Sequence, residues 1–370
     1  MLGEDEANTV SDVALRVAMF TRRPAREHGG VERVVRDLTQ ELRRQHAAWT
    51  VENVAAFTRS GGLEAINGVS DIAAAAVLAW RALRGDYDVI FVHCPECLWG
   101  PLVARHVQRH KASLIAVWHG AGPTPALVLR PAGNLLARGL AWFRGIEERL
   151  ALRANSHVAV HRWVVDDLRY HYGFMGPVTI AENALEEPQP PEHHETPQSG
   201  GMTAVWVGQA GHRKGLDVAL DAMRLARKER SDIELQVAGV PDGPMTDGVT
   251  WLGVIAPDRM AELYARADVL LFPTRYEALS LTVLEAMRAG LPLIVSDAIP
   301  SDIVEDGRNG FVFHGHRARD YARALITLRD DPSLRQRIAE QNRRDAERFD
   351  LPSTARVYAG TAERLAAASR

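Results

Sequence analysis

The chain has 370 residues, of which 46% are hydrophobic and 25% charged, with a formal net charge of −3. That length accommodates two ordinary domains with sizeable cores. The balance is that of soluble globular protein, and the slight acidity argues against general nucleic-acid binding.

Residues 1–12, MLGEDEANTVSD, are acidic and polar and read as a disordered leader, without the basic start and apolar core of a signal peptide. Strand and helix patterns then alternate. ALRVAMF (14–20) reads as a strand, VERVVRDLTQELRR (31–44) as an amphipathic helix, WTVENVAAF (49–57) as a strand and SDIAAAAVLAWRAL as a helix. DVIFVH (88–93) and SLIAVWH (113–119) are strands around a helix near 98–109. A helix from Asn134 to Arg153, the strand HVAV, a helix from Arg162 to Tyr172 and PVTIA complete this half. EEPQPPEHHETPQSGG (186–201) crowds proline, glycine and charge with no apolar period, the mark of a linker. Its His193 and His194 read as solvated.

After the linker the alternation restarts. MTAVWVG (202–208), IELQVAG, DVLLFP and LPLIVS read as strands. GLDVALDAMRLARKE, PDRMAELYARA and SLTVLEAMRAG read as helices, followed by two more near 318–330 and 333–348. The expected architecture is α/β: Rossmann-like, doubly wound domains over 13–185 and 202–350, facing one another across a central cleft. A last helix over 351–370 can cross back to the first domain.

In doubly wound sheets, ligands bind beyond the carboxyl ends of the strands, and several unusual residues fall there. Gly29 and Gly30 follow the first strand just before a helix, where the backbone can approach an anionic ligand; a plain loop pair is the alternative. His93 and His119 end two strands. Arg213 and Lys214 precede the helix that begins near Leu216, so they oppose its dipole and suit a phosphate, or else are solvated cations. Ser280 is a good N-cap, which leaves the amides of Leu281, Thr282 and Val283 as an anion site. Glu285 lies a little over one turn further, among apolar neighbours. Either it accepts hydrogen bonds from a ribose diol, or it pairs with an internal arginine. Glu277, just before that helix, would face the group attached beyond the phosphates.

Two further features are weighed. Cys94 and Cys97, the only cysteines, form CPEC; the spacing admits redox or zinc chemistry, but no second pair completes a zinc site. Without a disulfide framework a cytosolic setting fits. Residues 101–175 hold ten Arg/Lys, from Arg105 to Arg169, against four acids. That excess suits an acidic acceptor or an anionic membrane surface, or is a solvated face.

Together these pieces resemble the retaining GT-B glycosyltransferases of family GT4. EALSLTVLE, Glu277 to Glu285, resembles the E-x7-E signature. HGGVERVV, DVIFVHCP, VWHG, TIAENALEEP, RKGLDVALDAM, WLGVI, YARADVLLFP and EAMRAGLPLIVSD follow the family pattern in order. The R-K-G variant, with Gln209 where many members carry arginine, is similar to the lipopolysaccharide-core glucosyltransferase branch. Ala278-Leu279-Ser280 replaces the usual G-F-G, and its bulkier residues are expected to narrow the sugar pocket.

The resemblance implies a donor ribose on Glu285, and a diphosphate on Arg213, Lys214 and the amides near Leu281 to Val283. It implies a base read at Gly253-Val254, a donor sugar at Glu277, His119 lining the reaction centre, and Gly30 against phosphate or acceptor. The function implied is retaining transfer of a sugar from a nucleotide-diphosphate donor, a UDP-sugar, to a hydroxyl of a glycan, lipid-linked or small-molecule acceptor. No cofactor is expected, and the setting is the cytoplasm or the inner face of a membrane. Metal independence is expected from Arg213 and Lys214 and from the lack of an Asp-x-Asp pair; that second ground is corrected below. The rivals are a nucleotide-sugar epimerase, a non-catalytic nucleotide-sugar-binding protein and a dinucleotide oxidoreductase, the last weakened because no G-x-G-x-x-G follows a strand.

Overall fold

A computed structural model describes residues 13–23, 29–57, 69–108, 112–121, 145–186, 201–209 and 212–369. The leader 1–12, most of the linker with His193 and His194, and the first part of the helix expected from Asn134 lie outside the described residues.

Two six-stranded sheets form, and every pairing in both is parallel. The first sheet has the order β2-β1-β3-β4-β5-β6. Its strands are β1 (Arg16–Thr21), β2 (Thr50–Ala55), β3 (Val89–Val92), β4 (Ser113–Trp118), β5 (Ser156–Ala159) and β6 (Thr179–Ile180). The second has the order β12-β11-β10-β7-β8-β9. It is built from β7 (Met202–Val207), β8 (Ile233–Ala238), β9 (Val249–Gly253), β10 (Val269–Phe272), β11 (Leu293–Ser296) and β12 (Gly310–Phe313). VIFV of β3, VLLF of β10 and LIVS of β11 are buried throughout, as strands covered on both faces must be.

The edge strands β9 and β12 escaped the sequence reading. Each is only partly buried along most of its length. A strand with one open flank lacks the continuous apolar run by which the central strands are recognised.

The chain order places each switch point. In the second sheet the chain runs β7-β8-β9 to one edge and then returns to lay β10 on the other side of β7. A crevice therefore opens beyond the carboxyl ends of β7 and β10.

Helices cover both sheets. α1 (Gly30–Gln45), α2 (Val69–Arg84), α3 (Trp99–Gln108) and α4 (Arg162–Tyr172) belong to the first domain, with a further helical stretch over 145–151. α5 (Leu216–Arg227), α6 (Met260–Arg266), α7 (Leu281–Ala289), α8 (Ala318–Asp330) and α9 (Pro332–Ala346) belong to the second. The last helix, α10 (Leu351–Ser369), returns to the first domain. Its buried Ala355, Ala359, Ala362 and Ala366 present a small-residue stripe to α1 and the sheet, and Tyr358 packs on Phe91 with ring centroids 5.1 Å apart. The domains also join where the Leu185 amide donates to the Phe349 carbonyl (3.1 Å) and Asn183 Nδ2 donates to the Leu279 carbonyl (2.9 Å). No helix among the described residues is long and apolar enough to cross a membrane.

Candidate active site

The loop after β7 forms a 3-10 turn, His212–Lys214, and closes on Gly215 at φ 70°. A Cβ at Gly215 would lie 1.8 Å from the Pro273 carbonyl oxygen, so only glycine allows this loop to press against the end of β10. That contact sets two cations beside Glu277. Arg213 Nη1 donates to Glu277 Oε1 at 2.7 Å and to the Tyr276 carbonyl at 3.1 Å. Lys214 Nζ donates to the same Oε1 at 2.6 Å and lies 4.9 Å from the Phe272 ring centroid. Burial lowers the Lys214 pKa, and the Glu277 carboxylate opposes that shift. Two cations sharing one carboxylate leave a net positive charge at the switch point.

α7 begins beside this cluster. Ser280 occupies the N-cap with extended backbone (φ −79°, ψ 119°), but its side chain makes no capping hydrogen bond, which corrects the sequence expectation. The Ser280 carbonyl accepts the amides of both Val283 and Leu284 at 3.1 Å. Val283 is therefore not a free donor, and Leu281 and Thr282 are the amides of that trio left without an intrahelical acceptor.

Glu285 has both oxygens engaged. One accepts from Arg33 Nη1, which reaches across from α1 in the other domain, and the other accepts the Tyr264 hydroxyl at 2.9 Å. The internal-arginine alternative thus describes Glu285 in this structure, and a ribose diol would have to displace Arg33. Neither Arg33 nor Tyr264 was singled out from sequence. An arginine in an amphipathic helix reads like any solvated one, and Tyr264 sits in an ordinary apolar pattern.

The first domain supplies the facing wall. Gly29 is the N-cap of α1, and a Cβ on it would collide with the Glu32 carboxylate. Gly30 faces Leu281 across the cleft, where an added Cβ would lie 3.9 Å from Leu281 Cδ1. His119 directly follows β4. Its neighbour Gly120, at φ +148°, has the Tyr276 hydroxyl where a Cβ would project. His93 Nδ1 is 3.0 Å from His119 Nε2, and burial pulls the His119 pKa down to about 4. Val254 stands 57% exposed beyond β9, following Gly253 at φ 68°, at the sheet edge.

One Asp-x-Asp triplet does occur, Asp86-Tyr87-Asp88. It lies at the opposite end of the sheet from the cleft: Asp88 accepts the Arg16 amide at 2.8 Å where β1 and β3 begin, and Asp86 pairs with the Arg16 side chain. It therefore cannot bridge a metal to a ligand at the carboxyl edge. Among the described residues no group of three His, Cys, Asp or Glu is placed to hold a metal. Cys94 and Cys97 are buried free thiols on a 3-10 turn. In the basic stretch, Arg105 bonds the Asn155 side chain and Arg149 lies over the Tyr172 ring. Arg109, Lys111, Arg130, Arg138 and Arg144 lie outside the described residues.

Two family models match this chain: Glycosyltransferase Family 4 over residues 28–187 and Glycosyl transferases group 1 over residues 201–331. Sulfoquinovosyl transferase SQD2 of Arabidopsis thaliana is 31% identical over 159 residues, 40% of this chain and 30% of that protein. The alignment thus spans less than a third of this curated relative. Sucrose-phosphate synthase from Thermosynechococcus elongatus superimposes with a TM-score of 0.77 at 18% identity, over 96% of this chain and 100% of that one. WaaG, a glycosyltransferase involved in lipopolysaccharide biosynthesis, gives 0.71 at 18% identity, over 94% and 99%. HepE of Anabaena in complex with UDP-glucose gives 0.70 at 16% identity, over 95% and 100%. At these identities the structural likeness is one of fold, and the fold is GT-B.

Proposed function

This chain belongs to the glycosyltransferases of family 4 and group 1, and from that premise we propose that it transfers a sugar from a nucleotide-diphosphate donor to an acceptor hydroxyl. The donor is a UDP-sugar, in keeping with the UDP-glucose bound by HepE. The acceptor is a glycan, a lipid-linked sugar or a small polyhydroxylated molecule. Transfer proceeds with retention and without a metal ion.

The observation that carries the reading is the convergence of Arg213 and Lys214 on the Glu277 carboxylate, three residues before the Ser280 N-cap of α7, at the β7/β10 switch point. As the sugar–phosphate bond breaks, negative charge grows on the diphosphate. Preorganised cations and the two α7 amides stabilise it without reorganising at that moment. Glu277 holds both cations in place and, lying beyond the diphosphate, offers its carboxylate to sugar hydroxyls. The departing phosphate oxygen takes the acceptor proton, so no protein base is required. His119 orients the donor sugar from the opposite wall.

A thermal-shift series with UDP, other nucleoside diphosphates and UDP-sugars, followed by a transfer assay with the stabilising donor, tests this function. A ligand at a hundred times its Kd adds about 2.7 kcal/mol to stability. Stabilisation by a UDP-sugar together with transfer is the expected result. Release of an altered free sugar without an acceptor would replace transfer by epimerisation.

Glu285 has its own test. Glu285→Ala is expected to weaken donor binding by about 1.5–3 kcal/mol, the scale of hydrogen bonds to a charged group. A 2′,3′-dideoxy donor should show that loss with the wild type and little further loss with the variant. Equal losses in both proteins would remove Glu285 from the ribose site and leave it as the partner of Arg33 and Tyr264.

A further inference from the structure

The two histidines at the ends of β3 and β4 form a pair whose proton arrangement the surrounding packing decides. His93 is 4% exposed. Its ring stacks parallel to that of Tyr358 from α10, with 4° between the planes and 6.1 Å between centroids. Its Nδ1 lies 3.0 Å from His119 Nε2. Its other nitrogen, Nε2, is buried with no hydrogen-bond partner among the described residues. Burial holds the pKa of both rings well below the usual imidazole value, so each is neutral at pH 7 and carries one ring proton.

Two arrangements satisfy that bond. If His119 Nε2–H donated to His93 Nδ1, the His93 proton would sit on Nε2. That leaves a buried N–H with no acceptor, the rarer and costlier kind of orphan. If His93 Nδ1–H donates instead, only a bare ring nitrogen is left buried. His119 then accepts at Nε2, and its single proton must sit on Nδ1. His119 is only partly buried, directly follows β4 at the cleft edge, and precedes Gly120 against Tyr276 of the other domain.

We propose that His93 is a positioning residue that donates from Nδ1 to His119 Nε2, fixing His119 as a neutral Nδ1–H donor for an oxygen of the bound ligand. This rests on the glycosyl-transfer reading and deepens it. It gives His119 a donor's role toward a sugar hydroxyl or phosphate oxygen, and it excludes His119 as the base for the acceptor hydroxyl. The logic is that of a second group selecting a histidine tautomer through the nitrogen it occupies. α10 takes part because Tyr358 forms one wall of the His93 pocket.

The test is a long-range proton–nitrogen correlation spectrum of the full chain labelled with 15N-histidine, at pH 7.5. Signals of His119 are identified by their loss in His119→Gln, and those of His93 by their loss in His93→Phe. Both rings protonated at Nδ1, with His119 Nε2 bare, is the expected result; a proton on His119 Nε2 overturns the proposal. His93→Phe keeps a ring against Tyr358 but removes the donor. It should let His119 revert to the Nε2–H form and lower kcat about tenfold or more, with a smaller change in donor KM. His93→Gln supplies an amide N–H and should recover most of that loss. Equal kcat in the Phe and Gln variants also counts against the proposal. If the Phe variant fails to fold, the wild-type spectrum still decides. If no donor is ever transferred, the functional reading fails while the tautomer result stands by itself.

Discussion

Arg213→Ala and Lys214→Ala are each expected to lower the transfer rate by about 10²-fold or more, comparable to removing one preorganised donor from an oxyanion site. Both cations meet on the same oxygen of Glu277. Removing either shifts the other, so the double variant should fall short of the product of the single losses. Gln209→Ala is the control: Gln209 stands where many family members have arginine, its loss should cost little, and Arg213 should prove to be the residue that supplies the charge. Excess chelator should leave the wild-type rate nearly unchanged, since Asp86-Tyr87-Asp88 is tied to Arg16 at the far end of the sheet. Activity abolished by chelation and restored by magnesium or manganese would overturn the charge compensation assigned to Arg213 and Lys214.

Stability is expected to fall steeply as pH drops from about 6 to about 4.5. Burial holds His119 and His157 at about 4 and His93 well below its usual value, against 6.5 for a free imidazole. In that window the unfolded chain binds protons on these three rings and the native state does not, so stability rises with pH and is lost on acidification. Asp167 opposes the trend. Burial raises its pKa to about 6, so the native state binds one proton that the unfolded state, at 3.8, does not. The net proton uptake on unfolding therefore makes stability rise with pH across this window, by an amount on the order of 2–3 kcal/mol per pH unit before solvent screening of the half-buried Asp167 and His119 reduces it. Carboxylates held low by arginine, such as Glu41 beside Arg44 and Asp217 beside Arg275, contribute their losses below this window.

His157→Gln removes one of these titrating rings. The amide oxygen can still accept from Trp118 Nε1, which in the native protein donates to His157 Nδ1 at 3.2 Å. Denaturant midpoints measured between pH 7 and 4.5 should show the slope roughly halved in the variant. An unchanged slope would mean that His157 titrates normally in the native state.

The amino-acid sequence by itself determined the alternation of elements, because strands covered on both faces must be apolar throughout. VIFV, VLLF and LIVS were legible for that reason, whereas the half-exposed edges Val249–Gly253 and Gly310–Phe313 were not. It also marked Gly30, Arg213, Lys214, Glu277 and Glu285, since strand ends and helix starts are local features and charged or glycine residues stand out there. What each one touches was settled only by the tertiary structure. Glu277 lies more than 60 residues from its two cations, and they meet because the chain lays β10 beside β7 after completing β8 and β9. Arg33 and Glu285 are 252 residues apart and meet across the cleft between the two domains. His93 and His119 lie within hydrogen-bond distance because β3 and β4 are neighbours, and α10 returns from the end of the chain to stack Tyr358 on the His93 ring. Local pattern reflects the solvent exposure of each face, whereas a hydrogen bond between distant residues depends on the order in which strands enter a sheet, which no short stretch of sequence encodes.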